Sequence, residues 1–281
     1  MLSQSAIDSA VRAALDEDCP WGDITAESTI PPDATGTARL MPREAGVLSG
    51  GDVFAAVFRL QDPHITVTLS QPDGSAFAAG ETLATVAGPV RGILTAERVA
   101  LNFIQHMSGI ATKTRAFVDA TAGTKARIAD TRKTLPGLRR FEKYAVTCGG
   151  GHNHRFGLSD AVMVKDNHLA AMREAGLDMV AALAAIRSKV SHTTSIEVEV
   201  DSLAQIPMAL EGGANVIMLD NFSLDDTRRG VELIAGRAVV EASGNMTLDR
   251  IPAVAATGVD VISVGALTHS VTAIDLGLDW D

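Results

Sequence analysis

The sequence predicts an α/β protein in two parts, an N-terminal α+β domain followed by a parallel barrel of βα units. Three observations carry this reading. From residue 120 onward short β-branched runs recur, most of them separated by helical segments. Before residue 120, strand-like runs alternate with turn signals instead, the pattern of a mostly antiparallel sheet. Aromatic residues make up 4% of the chain against 46% apolar residues in all. The core is therefore built from Ala, Val, Ile and Leu, which suits buried parallel strands under Ala-rich helices.

The elements follow in order. MLSQSAIDSAVRAALDED reads as an amphipathic helix. It lacks the basic start and apolar run of a signal peptide. No segment approaches the roughly 18 apolar residues of a membrane span, and a cytoplasmic location is expected. The runs GTARLMP, AGVLSGG, HITVTLS and ETLATVAG read as strands, punctuated by Pro31-Pro32, Gly50-Gly51 and Pro72-Asp73-Gly74. Residues 52–60 read as a helix between strands, and residues 95–120 as a long helix interrupted at Ser108-Gly109. Six further runs then appear: ARIADTR, AVMVKDN, SIEVEVD, NVIMLDN, AVVEASG and VDVISVG. Without a Rossmann glycine fingerprint, these units point to a closed barrel rather than an open dinucleotide fold.

The formal net charge of −10 disfavours nucleic acid and anionic membranes as partners. An anionic ligand must then be held by a local basic cluster. Cys19 and Cys148 offer neither a disulfide framework nor zinc-ligand spacing, and both are expected to be buried free thiols.

Each barrel run is apolar in its body and polar or glycine-rich at its C-terminal end, where parallel barrels bind ligands. Arg132, Lys133 and Lys165 lie at such ends, and the GGGHNHRFG loop adds His152, His154 and Arg155. So many donors in an acidic chain imply a multiply anionic ligand. Glu199 and Asp220 stand among them, suited either to Mg²⁺ bridging to phosphate or to sugar hydroxyls. Ser243-Gly244 and Gly265-Ala266 precede helical segments, where backbone N–H groups cradle phosphate. Taken singly, a strand-end carboxylate is more often a helix cap or surface group, and a strand lysine reads equally as a structural ion-pair partner. The HNH histidines lack a Cys or carboxylate neighbour in sequence that would make a metal site. The case rests on joint placement.

The run DTRKTLPGLRRFEKYAVTCGGGHNHRFGLSDAVMVKDNH (130–168) resembles the signature of the quinolinate phosphoribosyltransferase family, also called nicotinate-nucleotide pyrophosphorylase. TAERVALNFIQHMSGIAT, EVEVDS, MLDNF, EASGN and TGVDVISVGALTHS extend the resemblance over nearly the whole chain. It implies an N-terminal sandwich domain at 1–115, joined by 271–281, and an incomplete barrel at 116–270. It implies homodimers, or multiples of dimers, with shared sites. Arg132, His154, Arg155 and Lys165 are then expected to hold the two quinolinate carboxylates, with Arg98 reaching into the partner's site. Lys133 is expected to touch quinolinate or the phosphoribosyl pyrophosphate donor. Glu199 and Asp220 are expected at the ribose hydroxyls and Mg²⁺, and Ser243, Gly244, Gly265 and His269 around the 5′-phosphate. Lys133, Glu199 and Asp220 would be the catalytic groups of a transfer that yields nicotinate mononucleotide, pyrophosphate and CO₂. Three rival readings stand beside it: a paralogue using another base, a barrel aldolase with Lys165 as a Schiff-base lysine, and a non-catalytic anion-binding or structural protein.

Overall fold

The computed structural model describes residues 2–280. Its strands are β1 (Thr35–Pro42), β2 (Gly46–Val47), β3 (Thr66–Leu69), β4 (Ala76–Phe77), β5 (Ala84–Pro89) and β6 (Arg127–Ala129). They continue as β7 (Val162–Val164), β8 (Ile196–Val200), β9 (Val216–Asp220), β10 (Val239–Ser243), β11 (Val261–Ser263) and β12 (Leu276–Trp280). The chain divides into two compact units. One comprises residues 2–115, 135–150 and 270–280, and the other residues 116–134 and 151–269.

The first unit is built on an antiparallel sheet in the order β12-β1-β5-β3. The C-terminal strand enters it by pairing Leu40 with Leu278 and Ala38 with Trp280. The N-terminal helix Gln4–Asp18 begins where the Ser3 side chain accepts from Ala6 N–H, and Ile7 and Val11, one turn apart, bury its apolar stripe. The helix Gly51–Gln61 starts on Asp73, whose carboxylate accepts from the Gly50 and Gly51 amides at 2.9 and 3.0 Å.

The helix Val90–Asp119 is continuous through Ser108-Gly109, where the sequence suggested a break. Both residues serve packing instead. The buried Ser108 hydroxyl accepts from Ser49 N–H at 3.0 Å and donates to Ser49 O at 3.2 Å. A Cβ on Gly109 would stand 2.3 Å from Thr272 O.

Residues 135–150 fall with the first unit, although the expected boundary assigned them to 116–270. Their helix, Arg139–Cys148, buries one face there. Phe141 meets Phe103 with ring centroids 5.7 Å apart, Glu142 takes His106 Nε2 at 2.9 Å, and Tyr144 donates to Asp73 at 2.8 Å. Both cysteines are free and half-buried rather than fully buried.

The second unit holds the six parallel strands in the order β6-β11-β10-β9-β8-β7. Every run read from the sequence is a strand. The first and last of them pair, Val261 beside Arg127, while β6 and β7, neighbours in sequence, form the two ends of the sheet. The barrel is therefore incomplete, as the resemblance implied, and not closed, as the βα count alone suggested. The link from β6 to β7 departs into the first unit at 135–150 instead of supplying a crossover helix over the sheet. On its return it runs beside β6 for one bridge, Ala129 to His152. His152 N–H donates to Ile128 O at 2.8 Å and His152 O accepts from Asp130 N–H at 3.1 Å. No helix among the described residues is long and apolar enough to cross a membrane.

The Gly109 contact generates a stability prediction. Gly109→Val is expected to lower the midpoint of thermal unfolding, at a cost of about 1–3 kcal/mol from overpacking. Circular dichroism melts would expose an error if the midpoint stayed at the parent value.

Candidate active site

A cavity of about 540 Å³ opens at the C-terminal ends of the barrel strands. Most of the residues singled out in the sequence line it. Arg132 and Lys133 come from the end of β6, His154 and Arg155 from the segment in the gap, and Lys165 from the end of β7. Glu199 on β8, Asp220 on β9, and Ser243 and Gly244 at the end of β10 complete the rim. Gly265 and His269 stand beside it. A Cβ on Gly265 would approach Lys133 Cδ to 3.0 Å and His269 Nε2 to 3.1 Å. Arg98 belongs to the first unit, exposed on the helix Val90–Asp119, and is not part of this lining.

The cationic side is short of acceptors. The Nε atoms of Arg132 and Arg155 are both buried without a hydrogen-bond partner. Arg155 Nη1 reaches only Ala161 O, at 3.2 Å. Burial first, and then the charge of Arg132, push the Arg155 guanidinium down from its usual proton affinity. Unsatisfied buried donors of like charge are costly unless an anion joins them. A planar carboxylate matches guanidinium geometry.

Lys165 is paired with the Glu199 carboxylate. A Schiff-base lysine wants an apolar pocket, and this carboxylate partner counts against the aldolase reading. Asp220 accepts from Asn221 Nδ2 at 2.7 Å.

Under the rim lies a group that the sequence reading did not assemble. Asp130, fully buried, accepts from His154 N–H at 2.8 Å and from Asn153 Nδ2 at 2.7 Å. The His154 ring lies with Nε2 3.2 Å from Glu197 and 3.5 Å from Glu241, both buried. Its Nδ1 accepts from the Arg155 amide at 2.7 Å. Both ring nitrogens are thus engaged by the protein, and His154, which the resemblance expects at a carboxylate of quinolinate, lines the cavity beside Arg155.

Burial opposes charge on this ring, and the hydrogen bonds and charges of Glu197 and Glu241 outweigh it, raising its proton affinity. The Arg155 amide resists that pull, because a protonated Nδ1 no longer accepts. The ring proton therefore sits on Nε2, facing the carboxylates. His154, Glu197 and Glu241 also cluster closely enough to ligate a metal ion. With Nδ1 held as an acceptor, however, Nε2 carries the proton where a metal would need a lone pair.

The turn at β9 and β10 is equally constrained. Asn221, Gly244 and Asn245 all adopt positive φ, at 55°, 97° and 47°. A Cβ on Gly244 would lie 2.2 Å from Asn221 Oδ1. This left-handed turn stands where a helix start was expected after Ser243-Gly244; the next helical turn begins only at Leu248.

The signals for the overlooked residues were present. Glu197 shares strand parity with Glu199 and so faces the same side. Glu241 interrupts an apolar strand and pairs in register with Met218, itself opposite Glu199. Asn221 and Asn245 are the residue type that tolerates positive φ.

A parallel barrel rim that sets paired guanidiniums against carboxylates and a glycine turn defines an α/β enzyme built around a polyanionic ligand. The chain belongs to the quinolinate phosphoribosyltransferase family. The model of that family's C-terminal domain matches residues 110–279 and that of its N-terminal domain residues 23–108. The chain is 45% identical over 290 residues to the nicotinate-nucleotide pyrophosphorylase (carboxylating) of Mycobacterium leprae, covering 99% of this chain and 100% of that relative. It is 41% identical to the probable enzyme of the same name from Bacillus subtilis, over 94% of this chain and 89% of the relative. Among solved structures, the nicotinate-nucleotide pyrophosphorylase from Francisella tularensis superposes with a TM-score of 0.93 at 40% identity, covering 100% of this chain and 98% of that one.

Gly236 provides a control for Gly244, since its φ is 74° but nothing lies within 4 Å of its Cβ position. Gly236→Ala is expected to cost only the left-handed conformation, on the order of 1–2 kcal/mol. Gly244→Ala adds the collision with Asn221 and should cost more in denaturant titration. Equal costs would remove close approach as the reason for Gly244.

Proposed function

We propose that the chain joins quinolinate to phosphoribosyl pyrophosphate, forming nicotinate mononucleotide with release of pyrophosphate and CO₂, a step of NAD biosynthesis. Membership of the family supports the reaction. The observation that carries the substrate is the pair of buried, unpartnered guanidinium Nε atoms on Arg132 and Arg155 within one cavity. Two cations held this close suit a ligand with two adjacent carboxylates. A monocarboxylate would leave buried charge unpaired, which gives strong discrimination.

The chemistry follows from positions. Arg132, Arg155 and Lys165 hold the pyridine dicarboxylate. Ser243, Gly244, Gly265 and His269 receive the 5′-phosphate, and Glu199 and Asp220 orient the ribose hydroxyls. The ring nitrogen's lone pair then bonds to the anomeric carbon as the carbon–oxygen bond to pyrophosphate breaks, its electron pair leaving with the oxygen. Lys133 stands beside the departing charge. The bond to the 2-carboxylate next breaks, its pair stays on the ring beside the pyridinium nitrogen, and solvent supplies the replacing proton. No covalent nucleophile is required; positioning and fixed charge carry the acceleration.

Mg²⁺ fits this donor set, since Glu199 and Asp220 offer hard carboxylate oxygens on neighbouring strands of the cavity. Held by them with the pyrophosphate, it would neutralise charge on the leaving group. The chain is further read as a cytoplasmic homodimer, or a multiple of it, in which the exposed Arg98 of one subunit completes the site of its neighbour.

An absorbance assay with quinolinate, phosphoribosyl pyrophosphate and Mg²⁺, run beside nicotinate, is expected to show product from quinolinate alone and none after chelation of Mg²⁺. Turnover of nicotinate instead would overturn the dicarboxylate reading, and undiminished activity after chelation would remove the metal. Arg98→Ala and Lys165→Ala subunits, each inactive alone, are expected to recover activity when mixed into heterodimers. Verified heterodimers without recovery would exclude a shared site.

A further inference from the structure

We infer that Glu197 and Glu241 are positioning residues for the acidic pyridine: they fix the His154 ring, and the ring fixes Arg155. The inference rests on the proposed binding of a dicarboxylate at Arg132 and Arg155.

Glu197 and Glu241 come from β8 and β10, on either side of β9. Both are at least nine-tenths buried, and each presents one oxygen to His154 Nε2. Their second oxygens are buried without a partner. Two carboxylates are thus brought beneath one imidazole in a place where charge is expensive. A ring carried by a loop in the gap of a barrel would otherwise rotate. Aimed at by two acceptors, it holds one orientation and one tautomer, with the proton on Nε2.

That tautomer leaves Nδ1 as an acceptor, and the Arg155 amide donates to it at 2.7 Å. The same three-residue stretch is gripped from the other side by Asp130, which takes Asn153 Nδ2 and the His154 amide. The backbone leading into Arg155 is therefore held at Asn153, at His154 and at the Arg155 amide itself. Its guanidinium has only weak contacts to direct it: Nε has no partner, Nη1 reaches one carbonyl at 3.2 Å and Nη2 reaches Met163 Sδ at 3.4 Å. Where that guanidinium meets a carboxylate is then set by its backbone, and the backbone by the chain of contacts from the two glutamates through the ring.

The first test is the tautomer. Nitrogen NMR of protein labelled with ¹⁵N-histidine is expected to show His154 with a pyridine-type Nδ1 and a pyrrole-type Nε2. A protonated Nδ1 in the parent protein overturns the inference. The second test is kinetic, with Glu241→Gln, Glu197→Gln and the double variant, each checked by circular dichroism. Each glutamine removes the negative charge and replaces one of the two acceptor oxygens with a donor, which loosens the hold on the ring, and misplacement of a binding group costs on the order of 10–100-fold. The KM for quinolinate is expected to rise by that factor toward the level of Arg155→Ala, while the KM for the donor stays at the parent value. A rise in both KM values together, or an unchanged quinolinate KM in a folded variant, also overturns it. If one variant fails to fold, the remaining single substitution decides. If the parent protein itself does not turn over quinolinate, the proposed reaction fails. The positioning inference is then judged by whether the Arg155 amide resonance and the His154 tautomer change in the glutamine variants; unchanged signals overturn it.

Discussion

The buried carboxylate of Asp130 is the fixed point from which the site is assembled. A carboxylate removed from water is costly unless it is hydrogen-bonded, and Asp130 takes its donors from residues 153 and 154. Those residues belong to the stretch that occupies the gap between β6 and β7. The barrel is thus finished, locally, by an irregular segment tied to a strand end. Arg132, on the β6 side, and Arg155, on the segment, are held in one cavity because that tie exists.

Charge is distributed with the same economy. The chain is acidic overall, yet its cavity gathers two guanidinium groups whose Nε atoms their own neighbours do not satisfy. The carboxylates present there have separate attachments: Glu199 to Lys165, Asp220 to Asn221, Glu197 and Glu241 to His154. None of these attachments neutralises the two guanidinium groups. A site arranged in this way selects by number of negative charges as well as by shape, since a ligand with too few leaves a buried cation exposed to the low-dielectric interior.

Much of this was legible beforehand. Alternation of β-branched runs with helices located all six barrel strands, because each is buried on both faces and reads as an apolar run. The rim residues followed from the polar ends of those runs. Where the reading failed, the reason was tertiary. Ser108-Gly109 looks like a helix break, but a buried hydroxyl bond and a close backbone approach explain the same residues inside a continuous helix. Residues 135–150 look like the first crossover of the barrel, and only their partners Phe103, His106 and Asp73 assign them to the other unit. The joining of Asp130, His154, Glu197 and Glu241 depends on strand register and on the gap, neither of which local pattern records. The missing sixth ladder joint was likewise invisible to a count of βα units.

The pairing of β12 with β1 joins residues separated by almost the whole chain, Ala38 with Trp280. During synthesis most of the first unit precedes the barrel strands, but its sheet lacks an edge until β12 has been made. The barrel unit, interrupted only by 135–150, has all six of its strands earlier. Vectorial synthesis therefore favours a reversed order of completion, with the inner unit maturing while the outer one waits, its β1 edge uncovered and in need of protection from other strands.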